Sequence, residues 1–94
     1  ESGNPYVKEI VGTWAVQDTD YEEVFTFKKD GTGQYSYKEG SVYTFSFTYS
    51  FYNGDYVELT YDDDGTQEGF TIRIEGDTMY FSNLSYVDMP LIRQ

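Results

Sequence analysis

The residues best placed to do chemistry are the acids. Asp62, Asp63 and Asp64 run directly into Gly65 and Thr66, and Glu68 follows two residues on. Clustered carboxylates of this kind suit a hard cation such as calcium. No Glu stands at the twelfth position from Asp62, so the twelve-residue EF-hand loop is not present,. The alternative is a solvated acidic hairpin tip. Paired carboxylates could also hydrolyse glycosides. Seventeen acids make many nominal pairs, however, and alternation places none of them inward beside an apolar neighbour that would raise its pKa. No catalytic residue is assigned. The chain has no His and no Cys, which removes the commonest general base, the usual zinc ligands, a Ser-His-Asp triad, a thiolate nucleophile and any disulfide framework. No metal site and no cofactor is assigned, and the expectation is a protein that is not an enzyme.

The second candidate is aromatic. Eleven Tyr and seven Phe stand among 94 residues. In Val42–Phe51 they alternate: Tyr43, Phe45, Phe47, Tyr49 and Phe51 share one parity, and Thr44, Ser46, Thr48 and Ser50 share the other. A side-chain period of two makes this a strand with one buried and one wet face. Tyr35, Tyr37, Tyr43, Phe45, Phe47 and Tyr49 would line a pocket, with Tyr hydroxyls as its few polar groups. With so many rings the alternative is a barrel filled by its own side chains. A third candidate is the outward set Tyr52, Tyr56, Tyr80 and Tyr86, which could stack on sugars or meet a protein; scattered surface Tyr is also ordinary in strands.

These residues need a sheet to hold them. Strands are expected over Gly12–Gln17, Glu22–Lys29, Gly33–Lys38, Val42–Phe51, Asp55–Tyr61, Glu68–Glu75, Thr78–Ser82 and Val87–Arg93. Pro90 weakens the last and belongs at an edge, a bulge or a strand start. Asp18–Tyr21, Asp30-Gly31, Glu39-Gly40, Asn53-Gly54, Asp62–Thr66 and Gly76-Asp77 supply the turns. Asn4-Pro5 can begin a short helical turn after a frayed Glu1–Pro5, and Tyr6, Ile10 and Val11 could close one end of the core. Short turns without crossovers give an antiparallel meander. The expected fold is all-β: an up-and-down barrel of seven or eight strands in one domain spanning 1–94, with 1–9 as an extension. A two-sheet sandwich is the alternative.

Gly12-Thr13-Trp14 at the head of the first strand resembles the G-x-W of lipocalins. With Val24–Tyr37, the alternating strand and Glu75–Ser82, nearly the whole chain from Ile10 onward is similar to the short lipocalin-like domains of secreted proteins and lipoproteins of Bacteroidetes. It is shorter than full-length lipocalins and lacks their long flanking helix. The resemblance implies a basic residue near the chain end that packs across the Trp. Arg93 is the candidate, on the parity of Val87, Met89 and Leu91, and Gly12, Trp14 and Arg93 would be structural. It also implies an extracytoplasmic binding module for a small hydrophobic ligand. A solid-core domain contacting glycan or protein through its outer surface is the alternative.

The net charge of −11 argues against nucleic acid and against anionic membrane surfaces. No apolar run reaches the length of a membrane span, and no signal peptide is visible. The opening ESGNP looks like a cut end, so a leader or a lipid-bearing Cys upstream is compatible with the sequence. The expected state is a monomer or a weak homodimer. An incompletely closed barrel would leave edge strands free to pair with a second copy.

Overall fold

The alternation of apolar and polar residues is realised as eight antiparallel strands. A computed structural model describes residues 6–16, 22–52 and 54–94. The strands are β1 (Gly12–Val16), β2 (Glu22–Phe27), β3 (Thr32–Glu39), β4 (Ser41–Tyr52), β5 (Tyr56–Tyr61), β6 (Gln67–Glu75), β7 (Thr78–Ser82) and β8 (Met89–Arg93). Each pairs with its sequence neighbour, and β8 pairs back onto β1 through Trp14↔Arg93, Ala15↔Ile92 and Val16↔Leu91. The result is a closed up-and-down barrel, the lipocalin-like fold class expected. The expected turns at Asn4-Pro5 and Asp18–Tyr21 lie outside the described residues, as do Gln17 of the first strand and Asn53 of the fourth turn.

Two expectations change. The barrel closes, so β1 and β8 are not free edges for pairing with a second copy. The last strand begins at Met89 rather than Val87: Val87 and Asp88 lie in a bend, and Asp88 holds a positive φ of 49°. Pro90 then stands second in β8, a strand start, where a missing N–H costs the ladder least.

Inner parity builds the core. Trp14, Phe25, Phe27, Phe47, Val57, Leu59, Phe70, Ile72, Met79, Phe81 and Leu91 are all buried, and no charged or polar residue is buried among the described residues. An eight-stranded barrel has room for little more than its own side chains. The rings meet at angles that suit their quadrupoles: Phe70 lies on Phe81 with centroids 4.3 Å apart, and Phe27 meets Tyr49 edge-on at 5.1 Å. Gly33 makes this packing possible. A Cβ there would strike the Thr26 carbonyl oxygen and stand 2.6 Å from the Phe47 ring.

The two ends of the barrel differ. At the end where β1 begins, residues 6–10 form one turn, with Ile10 N–H donating to the Tyr6 carbonyl at 3.0 Å. Ile10 is buried, and Tyr6 and Val11 pack against the core, as a cap over that end requires. The Trp14 indole N–H donates to the Ile10 carbonyl at 2.8 Å. Arg93 stacks on Trp14, its Cζ 4.2 Å from the ring centroid. Its guanidinium also donates to the carbonyls of Glu9 (3.0 Å) and Val11 (3.3 Å). Gly12 leaves it room, since a Cβ there would stand 3.2 Å from Arg93 Nη1. One cation thus ties the N-terminal segment to the β1–β8 seam.

At the opposite end the sheet overshoots. β4 pairs with β3 along Ser41–Thr48 but with β5 only along Phe47–Tyr52. The chain leaves β5 at Tyr61, and the Asp62 N–H donates to the Ser46 carbonyl at 2.9 Å. The β3–β4 hairpin therefore projects past the rim, and the long dimension of the molecule is 41 Å against 28 and 25 Å across.

Candidate binding site at the open mouth

Register across β2, β3 and β4 arranges the inner face in rows. Phe27, Gly33 and Phe47 form the deepest; Phe25, Tyr35 and Phe45 come next; Glu23, Tyr37 and Tyr43 lie outermost. Cross-strand neighbours on one face stand close enough to touch. Tyr35 and Phe45 stack with centroids 6.3 Å apart and planes 19° apart, and Tyr37 and Tyr43 stack at 5.2 Å and 27°. The Tyr35 hydroxyl donates to Glu23 Oε1 at 2.8 Å.

Where β5 turns into β6, the loop 62–66 faces this ladder. Between them lies a shallow, open cleft of about 240 Å³ lined by Tyr35, Phe45, Tyr61, Asp63, Asp64 and Thr66. Its floor is the packed core, since the Tyr61 ring meets Phe47 edge-on at 5.7 Å. Asp64 Oδ1 accepts the Thr66 N–H at 2.9 Å, which fixes the turn and holds the Asp64 carboxyl below its ordinary value. Burial pushes the Tyr61 phenol well up, with a further contribution from Glu68 nearby. Glu68 shares the inner parity of Phe70 and Ile72, and desolvation holds its carboxyl above the usual glutamate value.

The six rings expected to line a pocket therefore divide. Tyr35 and Phe45 line the cleft. Tyr37 and Tyr43 continue the ladder up the projecting hairpin, where Tyr43 is 47% exposed. Phe47 is fully buried in the core. Tyr49 lies towards the closed end, its hydroxyl donating to the Lys28 carbonyl. Parity assigns a face, but the height of a residue along the barrel depends on the stagger between strands, which a single strand does not encode.

The acidic stretch sits at the same rim. Among the described residues no group of three or more carboxylates is disposed to hold a metal ion. The expectation that no acid sits inward beside apolar neighbours is corrected by Glu68. Its parity with Phe70, Ile72 and Ile74 was the available signal. Glu23 likewise shares the parity of Phe25 and Phe27, and Tyr61 that of Val57 and Leu59. The outward Tyr set is dispersed. Tyr52 and Tyr56 face each other across β4 and β5, Tyr80 lies under Arg73 at 4.3 Å, and Tyr86 is in the loop before β8.

Comparison with known proteins adds a fold relationship. No protein-family model matches the chain, and no curated protein matches it. A crystal structure of a lipoprotein YedD from Klebsiella pneumoniae is similar with a TM-score of 0.68, at 13% identity, over 93% of this chain and 73% of that one. At that identity the likeness is one of barrel fold. No helix among the described residues is long and apolar enough to cross a membrane.

Proposed function

We propose that the chain is a non-enzymatic, lipocalin-like binding module that takes a small hydrophobic molecule at its open mouth. The observation that carries this reading is the cleft between the Tyr35–Phe45 stack and Tyr61. It is shallow, floored by core and rimmed by a few polar groups, an apolar surface with few polar groups being what small-molecule sites use. At about 240 Å³ it suits one or two fused rings rather than a long acyl chain. The residues of the mouth offer no His, Cys or metal cluster, and this supports binding without turnover. The fold likeness to a lipoprotein supports an extracytoplasmic place, with a membership among the Bacteroidetes lipocalin-like domains resting on the Gly12-Thr13-Trp14 resemblance.

The test is a titration with 1-naphthylmethanol, followed by calorimetry. The wild type should bind saturably at one site, and Tyr35→Ala with Phe45→Ala should weaken binding at least tenfold while the barrel stays folded. Equal binding by the double variant would move the site elsewhere.

A second reading has its own support. The barrel below the mouth is filled, and Val42, Leu84 and Val87 are exposed at 63%, 107% and 87%. Apolar tips of this kind suit contact with a glycan or protein through the outer surface. On that reading naphthylmethanol would not bind saturably.

A further inference from the structure

The mouth has a charge as well as a shape. Its inner wall is lined by the rings of Tyr35, Phe45 and Tyr61, and aromatic rings attract cations through their quadrupoles. Beside them stand carboxylates of independent origin: Glu23 from β2, in the same row as Tyr37 and Tyr43, and Asp63 and Asp64 from the loop after β5. Glu68 pairs with Leu59 across β5 and β6, on the inner parity next to Tyr61, and adds a half-buried carboxyl below the rim. Basic side chains stand elsewhere. Arg93 is engaged at the closed end with Trp14, Glu9 and Val11. Lys8 and Lys29 border a groove with Val7 and Val11 at that same end, and Lys28 adjoins Lys29 in the β2–β3 turn. Arg73 is held by Glu75 and Asp88. Lys38 falls on the outer parity of β3 and is exposed. Rings and acids thus face one cleft that none of these six cations lines.

We propose that the mouth selects an organic ammonium, a small aromatic or amphiphilic cation whose rings lie against Tyr35, Phe45 and Tyr61 and whose charge faces Glu23, Asp63 and Glu68. This rests on the reading of the mouth as a binding site and narrows its ligand class. An anion of the same shape gains the same ring contacts but is repelled by the carboxylates. A neutral isostere gains the ring contacts alone.

The experiment compares three probes of one shape on the purified chain: 1-naphthylmethylammonium, 1-naphthylmethanol and 1-naphthylacetate. In low salt the ammonium should bind about tenfold more tightly than the alcohol, and the acetate more weakly than either. Raising ionic strength from about 20 mM to about 500 mM should shrink the ammonium preference, because the carboxylates are partly exposed and screened. The combined substitution of Glu23→Gln, Asp63→Asn and Glu68→Gln should bring ammonium and alcohol within twofold of each other, with circular dichroism reporting that the variant is folded. Equal binding of ammonium and alcohol in low salt would overturn the inference and leave the mouth as a neutral hydrophobic site. A preference that survives both salt and the triple substitution would also overturn it. Binding of none of the three would overturn the inference together with the reading beneath it.

Discussion

Arg93 does three things with one side chain. It covers the Trp14 face, donates to two carbonyls of the N-terminal segment, and pairs with the Asp77 carboxylate at 3.5 Å. Arg93→Met keeps the packing stem and removes the rest, so a loss of about 2–3 kcal/mol is expected in urea denaturation, from the lost hydrogen bonds to the Val11 and Glu9 carbonyls and the cation–π contact. Arg93→Lys should recover only part of it, because a point charge cannot cover the ring and reach both carbonyls at once. Gly33 is constrained from the other direction. Gly33→Ala forces a methyl into the Thr26 carbonyl and the Phe47 ring, an overpacking cost of about 1–3 kcal/mol, read by the same unfolding curves. Glu68 gives a pH signature. Desolvation raises its carboxyl above 4.5, so the folded chain holds more protons than the unfolded one as pH climbs past that value. Its contribution to stability therefore falls with rising pH across that window. Asp30 and Asp64 act oppositely: Thr32 and Thr66 hold them below 3.8, and their contribution is present above 3.8 and lost as pH falls towards their folded values. Glu68→Gln should leave stability at pH 3 nearly unchanged and raise it at pH 7, flattening that part of the profile. A lower stability at pH 7 would contradict the desolvation account.

At the scale of elements, the β3–β4 hairpin joins fold to site. Odd residues of β4 bond to β3, as the Tyr49 N–H to the Gly31 carbonyl shows, and even residues face β5, as the Ser46 carbonyl shows. Above Ser46 there is no β5 to receive them. The Val42 and Thr44 amides should therefore exchange with deuterium quickly, while Tyr43 and Phe45 exchange more slowly; uniform protection along Ser41–Phe45 would mean that another strand covers the edge. Natural sheets usually guard such an edge with charge or Pro, whereas Ser41–Tyr52 carries neither. Much of this element was legible. The alternation of Tyr43–Phe51 gave its faces, and Asp30-Gly31 and Glu39-Gly40 gave its turns. The extent of the overshoot was not legible, because it depends on where β5 ends, a property of the pairing between two strands. That is also why Phe47 and Tyr49 share the parity of Phe45 but not the cleft.

For the whole molecule, closure of β1 on β8 divides the barrel into a sealed end and an open one. The sealed end could be anticipated from Gly12-Thr13-Trp14, from Arg93 and from Ile10. Its two carbonyl contacts could not, since they arise from how residues 6–11 cross the barrel. The open end was half anticipated. Its rings and its acidic turn were singled out separately, and the β3–β4–β5 register, with the Asp62 N–H on the Ser46 carbonyl, brings Asp63, Asp64 and Tyr61 opposite Tyr35 and Phe45. Eight short strands filled by large side chains leave little interior space, and this rim is a place where that packing stops. The most direct test is a chemical-shift map of the isotopically labelled chain titrated with 1-naphthylmethanol. Binding at the mouth gives saturable shifts concentrated on Tyr35, Phe45, Tyr61 and Thr66, with Val7, Val11 and Lys29 at the sealed end unmoved. Shifts centred on the sealed end or the outer face, or none that saturate, would contradict it.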